Sequence, residues 1–147
     1  MHRAQNHILA LRVCGFVILT DQLLKYLSVH ILHTPTYGKY IAWEPFLNPG
    51  IAFGIPLPWW VQLVVTPFLL WGIYRWATRN QRAGLSPLAF GLVLGGACSN
   101  AIDRILFRVT LDYLRIGTAV INLADVAVVC GILLLLIASR HSANSDL

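Results

Sequence analysis

The sequence predicts an all-α membrane protein in which four transmembrane helices form a bundle. Three observations favour this fold class. The 147-residue chain is 57% hydrophobic and 12% charged, with a mean hydropathy of +0.67, whereas soluble domains have about 45–50% apolar and about 25% charged residues. The apolar residues fall into four runs, and each run approaches the roughly 17–25 residues that a helix needs to cross a bilayer. A chain of this length fits one domain, 1–147.

The predicted helices cover 8–32, 59–76, 85–106 and 119–139. Arg12, Asp21 and Lys25 interrupt the first of them. No small-residue cleavage site follows this run, so we expect a retained helix and not a secretory signal peptide. Between the first two helices, a connection rich in proline, glycine and aromatic residues has partial strand character at "KYIAWEPF".

The charges exclude some functions and suggest an orientation. The net charge of +5 is spread along the chain, and no basic run interleaves with aromatics, so nucleic-acid binding is not expected. The three cysteines lack the spacing of a disulfide framework or a metal site. With the N-terminus on the cytoplasmic side, the basic residues divide almost evenly between the two sides of the membrane. Five of the six acidic residues, however, lie towards the outer side. These five are Asp21, Glu44, Asp103, Asp112 and Asp125.

Two motifs near the first connection have competing interpretations. Asp21 and Lys25 are four residues apart on one helix face, which predicts either an ordinary ion pair at the membrane boundary or a pair that orders a site. In "NPGIAFG", Asn48 and Gly50 are typical of a turn. The functional alternative is that Asn48 presents its side-chain amide, and Gly50 its unshielded backbone, to an extended peptide.

The stretch "GLVLGGACSNAIDRI" combines small and polar residues. The four-residue spacing of Gly91, Gly95 and Ser99 predicts close helix packing. Asn100, Asp103 and Arg104 follow on the next turn, where Asn100 and Asp103 share a face. For Asp103, a structural pair with the adjacent arginine is the simpler interpretation.

Asp125 stands near the start of the last apolar run, where a charge is costly and normally faces a bundle interior or a water-filled cavity. Asn122 lies three residues earlier, and Asp112 lies in a connection long enough to return to that end of the helix. Two carboxylates in a partly dehydrated place share one proton, so that one acts as base and the other as acid. Such a pair hydrolyses amides without a metal or cofactor, and the sequence has no HExxH motif and no serine or cysteine nucleophile motif paired with histidine.

The blocks "DQLLKYL", "NPGIAFG", "GGACSNAIDR", "LDYL" and "NLADVAVVCG", in this order on four spans, resemble the bacterial lipoprotein signal peptidases, or signal peptidase II. The resemblance implies an intramembrane aspartyl endopeptidase of the bacterial cytoplasmic (inner) membrane, multi-pass, with both termini cytoplasmic. It implies removal of signal peptides from diacylglyceryl-modified prolipoproteins by cleavage before the lipidated cysteine. The outer connection corresponds to the family's small extracytoplasmic β-cradle. No cofactor or metal is implied, the partners are the lipidated substrate and membrane lipid, and we expect a monomer.

Carried over residue by residue, the resemblance assigns the catalytic dyad to Asp112 and Asp125. The polar residues matching the family's site are Asn100, Arg104 and Asn122. The supporting positions are Asp21, Lys25, Asn48, Gly50, Ala52, Asp103 and Ala124. This chain has Ser99 where members usually have glycine, and Ile121 where they commonly have phenylalanine.

Two other functions compete with a protease. A small proton- or ion-coupled transporter subunit would use intramembrane aspartates as a path. However, the acids gather at one end of the predicted bundle, and no inverted repeat is present. An assembly factor would use the same polar residues only to bind partner helices.

Overall fold

The computed structural model describes residues 2–32, 36–38, 40–50, 57–79 and 86–144. These residues form four helices and four strands. The helices are α1 (His2–His30), α2 (Trp59–Arg79), α3 (Pro87–Phe107) and α4 (Leu123–Asn144). The strands are β1 (Thr36–Tyr37), β2 (Ile41–Asn48), β3 (Thr110–Ile116) and β4 (Ala119–Ile121). The strands make one antiparallel sheet in the order β1-β2-β3-β4.

The four predicted helices are present, but the start of the fourth was predicted wrongly. Residues 119–121 pair with β3 as strand β4, and α4 begins only at Leu123. A tight turn at Gly117, which has a φ of +60°, sends the chain back along β3 before Asn122 starts the helix. The sheet was predicted only from the connection between the first two helices, but it takes two strands from that connection and two from the connection between α3 and α4. The other predicted ends differ from the observed ones by a few residues.

Helix α3 lies at the centre of the helical layer because its glycines allow close approach on two sides. A Cβ on Gly95 would lie 2.9 Å from the carbonyl oxygen of Cys14 in α1. A Cβ on Gly96 would collide with the backbone of Ala124 in α4. The close packing that the small-residue spacing predicted is thus confirmed, and α3 contacts α4 as well as α1.

The end of α3 leads directly into the sheet. The chain leaves the helix at Arg108, whose left-handed φ of 64° and N–H bond to the Arg104 carbonyl form a helix cap. Strand β3 then pairs with β2 and brings Asp112 opposite Phe46. This pairing places Asp112 beside the end of α3, from which β3 follows.

Large apolar side chains are exposed on the outside of the helices, and several charged side chains are buried between them. Phe16 and Leu19 on α1 and Phe68 on α2 are 70%, 73% and 69% exposed, while Asp21 and Asp103 are buried. By length and composition, the stretches 5–30 and 87–107 are able to cross a membrane, and α4 holds a shorter apolar stretch, Leu123–Ser139. An apolar exterior of this kind fits a lipid environment.

Replacing Gly96 with alanine should destabilise the protein, because the added Cβ meets the backbone of Ala124, which cannot move aside like a flexible side chain. Gly15→Ala is the matched control, since a Cβ there has nothing within 4 Å. We expect a lower melting temperature in detergent for Gly96→Ala, and an equal or higher one for Gly15→Ala because alanine favours helix. Equal melting temperatures for both variants would contradict this packing.

Candidate active site

The site is built around a buried lysine that connects two helices. The Lys25 ammonium lies 2.6 Å from Asp21 Oδ2 on α1 and 2.8 Å from Asp103 Oδ2 on α3. It also donates to Asn100 Oδ1 at 3.1 Å. The three charged side chains are almost fully buried, with 3% or less of each residue exposed. An ammonium has three N–H donors, and each has an acceptor here.

Asp21 makes more contacts than its ion pair. Its Oδ2 accepts from Ser99 Oγ at 2.7 Å, and its Oδ1 accepts from Tyr113 Oη and from the Ala124 N–H, both at 3.1 Å. Burial, together with the negative charge of Asp21, raises the pKa of Tyr113, so the phenol keeps the proton that it donates. One carboxylate of α1 therefore contacts α3, β3 and α4.

Asp103 joins α3 to both α1 and the sheet. Its Oδ1 accepts from Gln22 Nε2 at 2.8 Å, and its Oδ2 accepts from the Leu111 N–H at 3.1 Å. Gln22 also donates to Ser99, at 3.1 Å to the hydroxyl and at 3.2 Å to the carbonyl. These contacts hold the start of β3 against the helices.

The N-terminus of α4 is capped by residues of α1 and β3 and by the residue just before the helix. The Leu123 N–H donates to Tyr113 Oη at 3.0 Å, the next N–H donates to Asp21, and the Asp125 N–H donates to Asn122 Oδ1 at 2.8 Å. The first N–H groups of a helix have no partner within the helix, so these bonds satisfy them. Asp125 lies in this first turn, where the helix dipole favours negative charge.

The two candidate catalytic carboxylates are joined through side-chain amides. Asp112 accepts from Asn48 at 2.9 Å on Oδ2 and from Asn122 at 2.6 Å on Oδ1. Asp125 Oδ1 accepts from Asn100 at 2.8 Å, and Asn100 Oδ1 accepts from Asn122 at 3.1 Å. A continuous chain of hydrogen bonds thus runs from one carboxylate to the other.

The surroundings of Asp112 favour its protonated form more than water does. Burial raises the pKa of Asp112 to about 6, the charge of Asp125 acts in the same direction, and the hydrogen bonds from Asn48 and Asn122 offset part of the rise. A carboxyl with such a pKa exchanges its proton readily near neutral pH, which suits acid–base chemistry.

Both carboxylates line one cavity of about 1150 Å³. Most of its polar lining comes from the strands and the helix ends, and most of its apolar lining comes from the bodies of α2, α3 and α4. The polar residues around the carboxylates are Asn48, Asn100 and Arg104. The apolar residues include Leu69, Leu70, Ile73, Val93, Val129 and Ile132. The cavity therefore suits a ligand with one polar and one apolar part.

Two basic residues border this cavity in different ways. Arg115 on β3 donates to Glu44 on β2 from Nε and, at 2.6 Å, from Nη2, so this pair joins two strands. Arg104 Nε is buried and has no hydrogen-bond partner in the part of the chain that the structure describes. A buried donor without a partner is costly, and here it lies beside a cavity large enough to hold an acceptor.

The structure brings together nearly all the residues that the sequence singled out. Asp21 and Lys25 form the predicted ion pair, and Ala124 and Asn122 are both buried in the network. Gly50 donates its N–H to Asn48 Oδ1 at 3.0 Å, which orients the amide of Asn48 towards Asp112. Ala52 lies outside the described residues.

Three details differ from the sequence-based interpretation. The cation that Asp103 contacts is Lys25 and not Arg104, because the helix turn directs Asp103 towards α1. Asn122 lies before α4 as its cap and not within the helix. Gln22, Ser99 and Tyr113 were not predicted as site residues, although Gln22 and Tyr113 each adjoin a candidate aspartate in the sequence.

Comparisons of the sequence with known proteins agree on one family. Residues 13–140 match the family model described as signal peptidase (SPase) II. The lipoprotein signal peptidase of Rhodococcus jostii (strain RHA1) is 33% identical over 97% of this chain and 77% of its own length. That of Halothermothrix orenii is 39% identical over 82% of this chain and 88% of its own length. A solved bacterial membrane enzyme has the same fold, with a TM-score of 0.79 at 21% identity over 94% of this chain and 91% of its own.

Replacing Lys25 with methionine should destabilise the protein strongly, because Asp21 and Asp103 would both lose their cation in a buried place. Breaking such a pair on one side costs about 3–5 kcal/mol. Arg12→Met is the control, since Arg12 is an exposed cation on the same helix. We expect a large fall in the detergent melting temperature for Lys25→Met only; similar falls for both variants would show that the loss of any cation is responsible.

Proposed function

The chain belongs to the signal peptidase II family, and from this we propose that it is an aspartic endopeptidase whose catalytic dyad is Asp112 and Asp125. It removes signal peptides from prolipoproteins, the substrates for which its relatives are named. The observation that carries the proposed dyad is the amide chain through Asn122 and Asn100, which joins the two carboxylates at the wall of one cavity.

In the proposed reaction, the dyad activates one water molecule. The water oxygen bonds to the carbonyl carbon before the lipidated cysteine, while one carboxylate takes the water proton. The other carboxyl group then gives its proton to the leaving nitrogen as the carbon–nitrogen bond breaks, so the dyad ends with the one proton with which it began. Asn100 and Asn122 hold the carboxylates in place during both transfers.

The charges around the dyad support a single shared proton. The buried network contains four carboxylates, those of Asp21, Asp103, Asp112 and Asp125, and its described cations are Lys25 and Arg104. Lys25 is shared between Asp21 and Asp103, so Arg104 is left to balance the dyad. With all four carboxylates ionised, the two cations would leave this buried network with a net charge of −2. One proton shared by the dyad lowers that net charge to −1, which reduces the uncompensated charge in a low-dielectric site.

Arg104 also has a proposed role towards the substrate. Its Nε is buried beside the cavity without a partner among the described residues. A substrate carbonyl oxygen would give this donor an acceptor, and the interaction would strengthen as negative charge develops on that oxygen.

The apolar walls of the cavity suit the lipid part of the substrate. We propose that the acyl chains of the diacylglyceryl group lie along α2 and α4, where Leu69 and Ile132 line the cavity. Burial of the acyl chains would then supply binding energy that positions the scissile bond at the dyad.

The proposed membrane arrangement follows from the same geometry. All four helices cross the bacterial cytoplasmic membrane, both termini are cytoplasmic, and the sheet lies on the outer side with the ends of α1 and α3 that hold Lys25 and Asp103. The enzyme works as a monomer, since all the proposed catalytic residues come from one chain. The transporter alternative has no support from the family comparisons.

Asp112→Asn and Asp125→Asn should each reduce cleavage by a factor of about 10² to 10⁴ or more, because each removes one partner of the proton transfers. The measurement is a gel shift of a lipidated prolipoprotein incubated with purified enzyme in detergent. Asp146→Asn, beyond the matched family segment, is the control and should cleave normally. Full activity of a folded Asp112→Asn variant would refute the dyad and direct attention to Asp103.

Asn48→Ala should move the limb of the pH–rate profile that reports Asp112 to higher pH. The hydrogen bond from Asn48 lowers the pKa of Asp112, so its removal raises that pKa and Asp112 keeps its proton to higher pH. The measurement is kcat/KM against pH for the lipidated substrate. A limb that stays in place, or moves to lower pH, would show that this hydrogen bond does not act on the titrating group.

A further inference from the structure

We propose that the free edge of strand β4 binds the substrate as an added strand, with the segment before the scissile bond pairing with the backbone of Val120. This inference rests on the proposed function and identifies how the same site holds the peptide. It assigns a role to a segment, 119–121, in which no side chain is expected to take part in the chemistry.

The position of β4 carries the first part of the argument. It is the last strand in the sheet order, so one of its edges has no neighbouring strand among the described residues. Ala119, Val120 and Ile121 all line the cavity that also contains Asp112 and Asp125. Asn122, the next residue along the chain, contacts Asp112 directly. A peptide lying along β4 therefore leads to the dyad.

The hairpin geometry shows which backbone groups face the free edge. Gly117 and Thr118 form a two-residue loop, and the φ of +60° at Gly117 fits a type II′ turn. In such a turn the flanking residues, Ile116 and Ala119, form a hydrogen-bonded pair. Pairs alternate along an antiparallel ladder, so Val120 and Arg115 form a non-hydrogen-bonded pair. The N–H and C=O of Val120 consequently point away from β3.

An extended peptide is the occupant that fits these groups. A peptide bond can be cleaved only where its backbone is accessible, and a signal peptide that loses its helix near the membrane exposes N–H and C=O groups that need partners. In an antiparallel arrangement, a residue of the peptide placed opposite Val120 would exchange two hydrogen bonds with it, as in other cases of strand addition. Lipid chains offer no such groups, and the polar end of the cavity lies next to this strand.

The test compares Val120→Pro with Val120→Ala. Proline removes the outward N–H and is tolerated in edge strands, whereas alanine keeps the N–H and shows what the side chain contributes. We expect kcat/KM of Val120→Pro for the lipidated prolipoprotein peptide to fall about tenfold below that of Val120→Ala, the usual effect of one hydrogen bond. The melting temperatures in detergent should stay close to each other.

A second measurement uses modified substrates, and its first part needs only the wild-type enzyme. Synthetic lipidated peptides, N-methylated one residue at a time before the cysteine, should identify one position at which cleavage by the wild-type enzyme falls sharply. In Val120→Pro the strand pairing is already weakened, so the same N-methyl group should cost less. Such non-additivity shows direct coupling between the two backbones.

The outcomes separate this inference from the proposed function. If Val120→Pro cleaves as well as Val120→Ala while the dyad variants are inactive, strand addition is wrong and the protease remains. If Val120→Pro does not fold, the N-methylated peptides decide with the wild-type enzyme alone, and the absence of any position sensitive to N-methylation overturns the inference. A change of oligomeric state in Val120→Pro would show that the free edge pairs with a second copy of the chain, which also overturns it. Normal cleavage by both Asp112→Asn and Asp125→Asn would instead overturn the proposed function.

Discussion

The interaction on which the rest of this structure depends is the contact of Lys25 with Asp21 and Asp103. A buried ion pair recovers its desolvation cost only when the remaining lone pairs and protons also have hydrogen-bond partners. Here further N–H and O–H donors bond to the carboxylate oxygens of both Asp21 and Asp103. The requirement explains why polar side chains from α1, α3, β3 and α4 converge at one point in an otherwise apolar molecule. The small residues of α3 permit the convergence, because they let the helices approach closely enough for short side chains to meet.

The same network connects stability to the proposed chemistry. Asp21 pairs with Lys25 and also accepts from the first turn of α4, the turn that carries Asp125. Lys25 also donates to Asn100, which donates to Asp125. The position of one carboxylate of the dyad therefore depends on an ion pair in another helix. The Ser99 hydroxyl on α3 also donates to Asp21, which adds a further bond between α3 and this ion pair.

A site of this kind favours function at some expense of stability. Four carboxylates are gathered around two cations, and burial raises the pKa of Asp112 to about 6. At pH values between the usual pKa of Asp and about 6, Asp112 is protonated in the folded state and ionised in the unfolded state. The stability that its bound proton contributes is therefore lost as the pH rises through 6. A carboxyl group that exchanges its proton near neutral pH also suits the acid–base role proposed for Asp112. The hydrogen bonds from Asn48 and Asn122 to Asp112 offset part of the rise in its pKa, and with it part of the loss of stability.

The sequence by itself determined the helices, the small-residue contacts of α3 and the local pair of Asp21 and Lys25, because each follows from periodicity or from spacing within one element. The motif blocks indicated the family and, with it, most of the site. Only the tertiary structure decided that 119–121 form a strand, since a short apolar run suits a strand and a helix equally well until its partner is known. It also decided that Asp103 meets Lys25, and that Tyr113 and Gln22 belong to the network. These contacts join residues far apart in the chain, and the physical reason they escaped prediction is that their distances depend on how whole helices and strands pack.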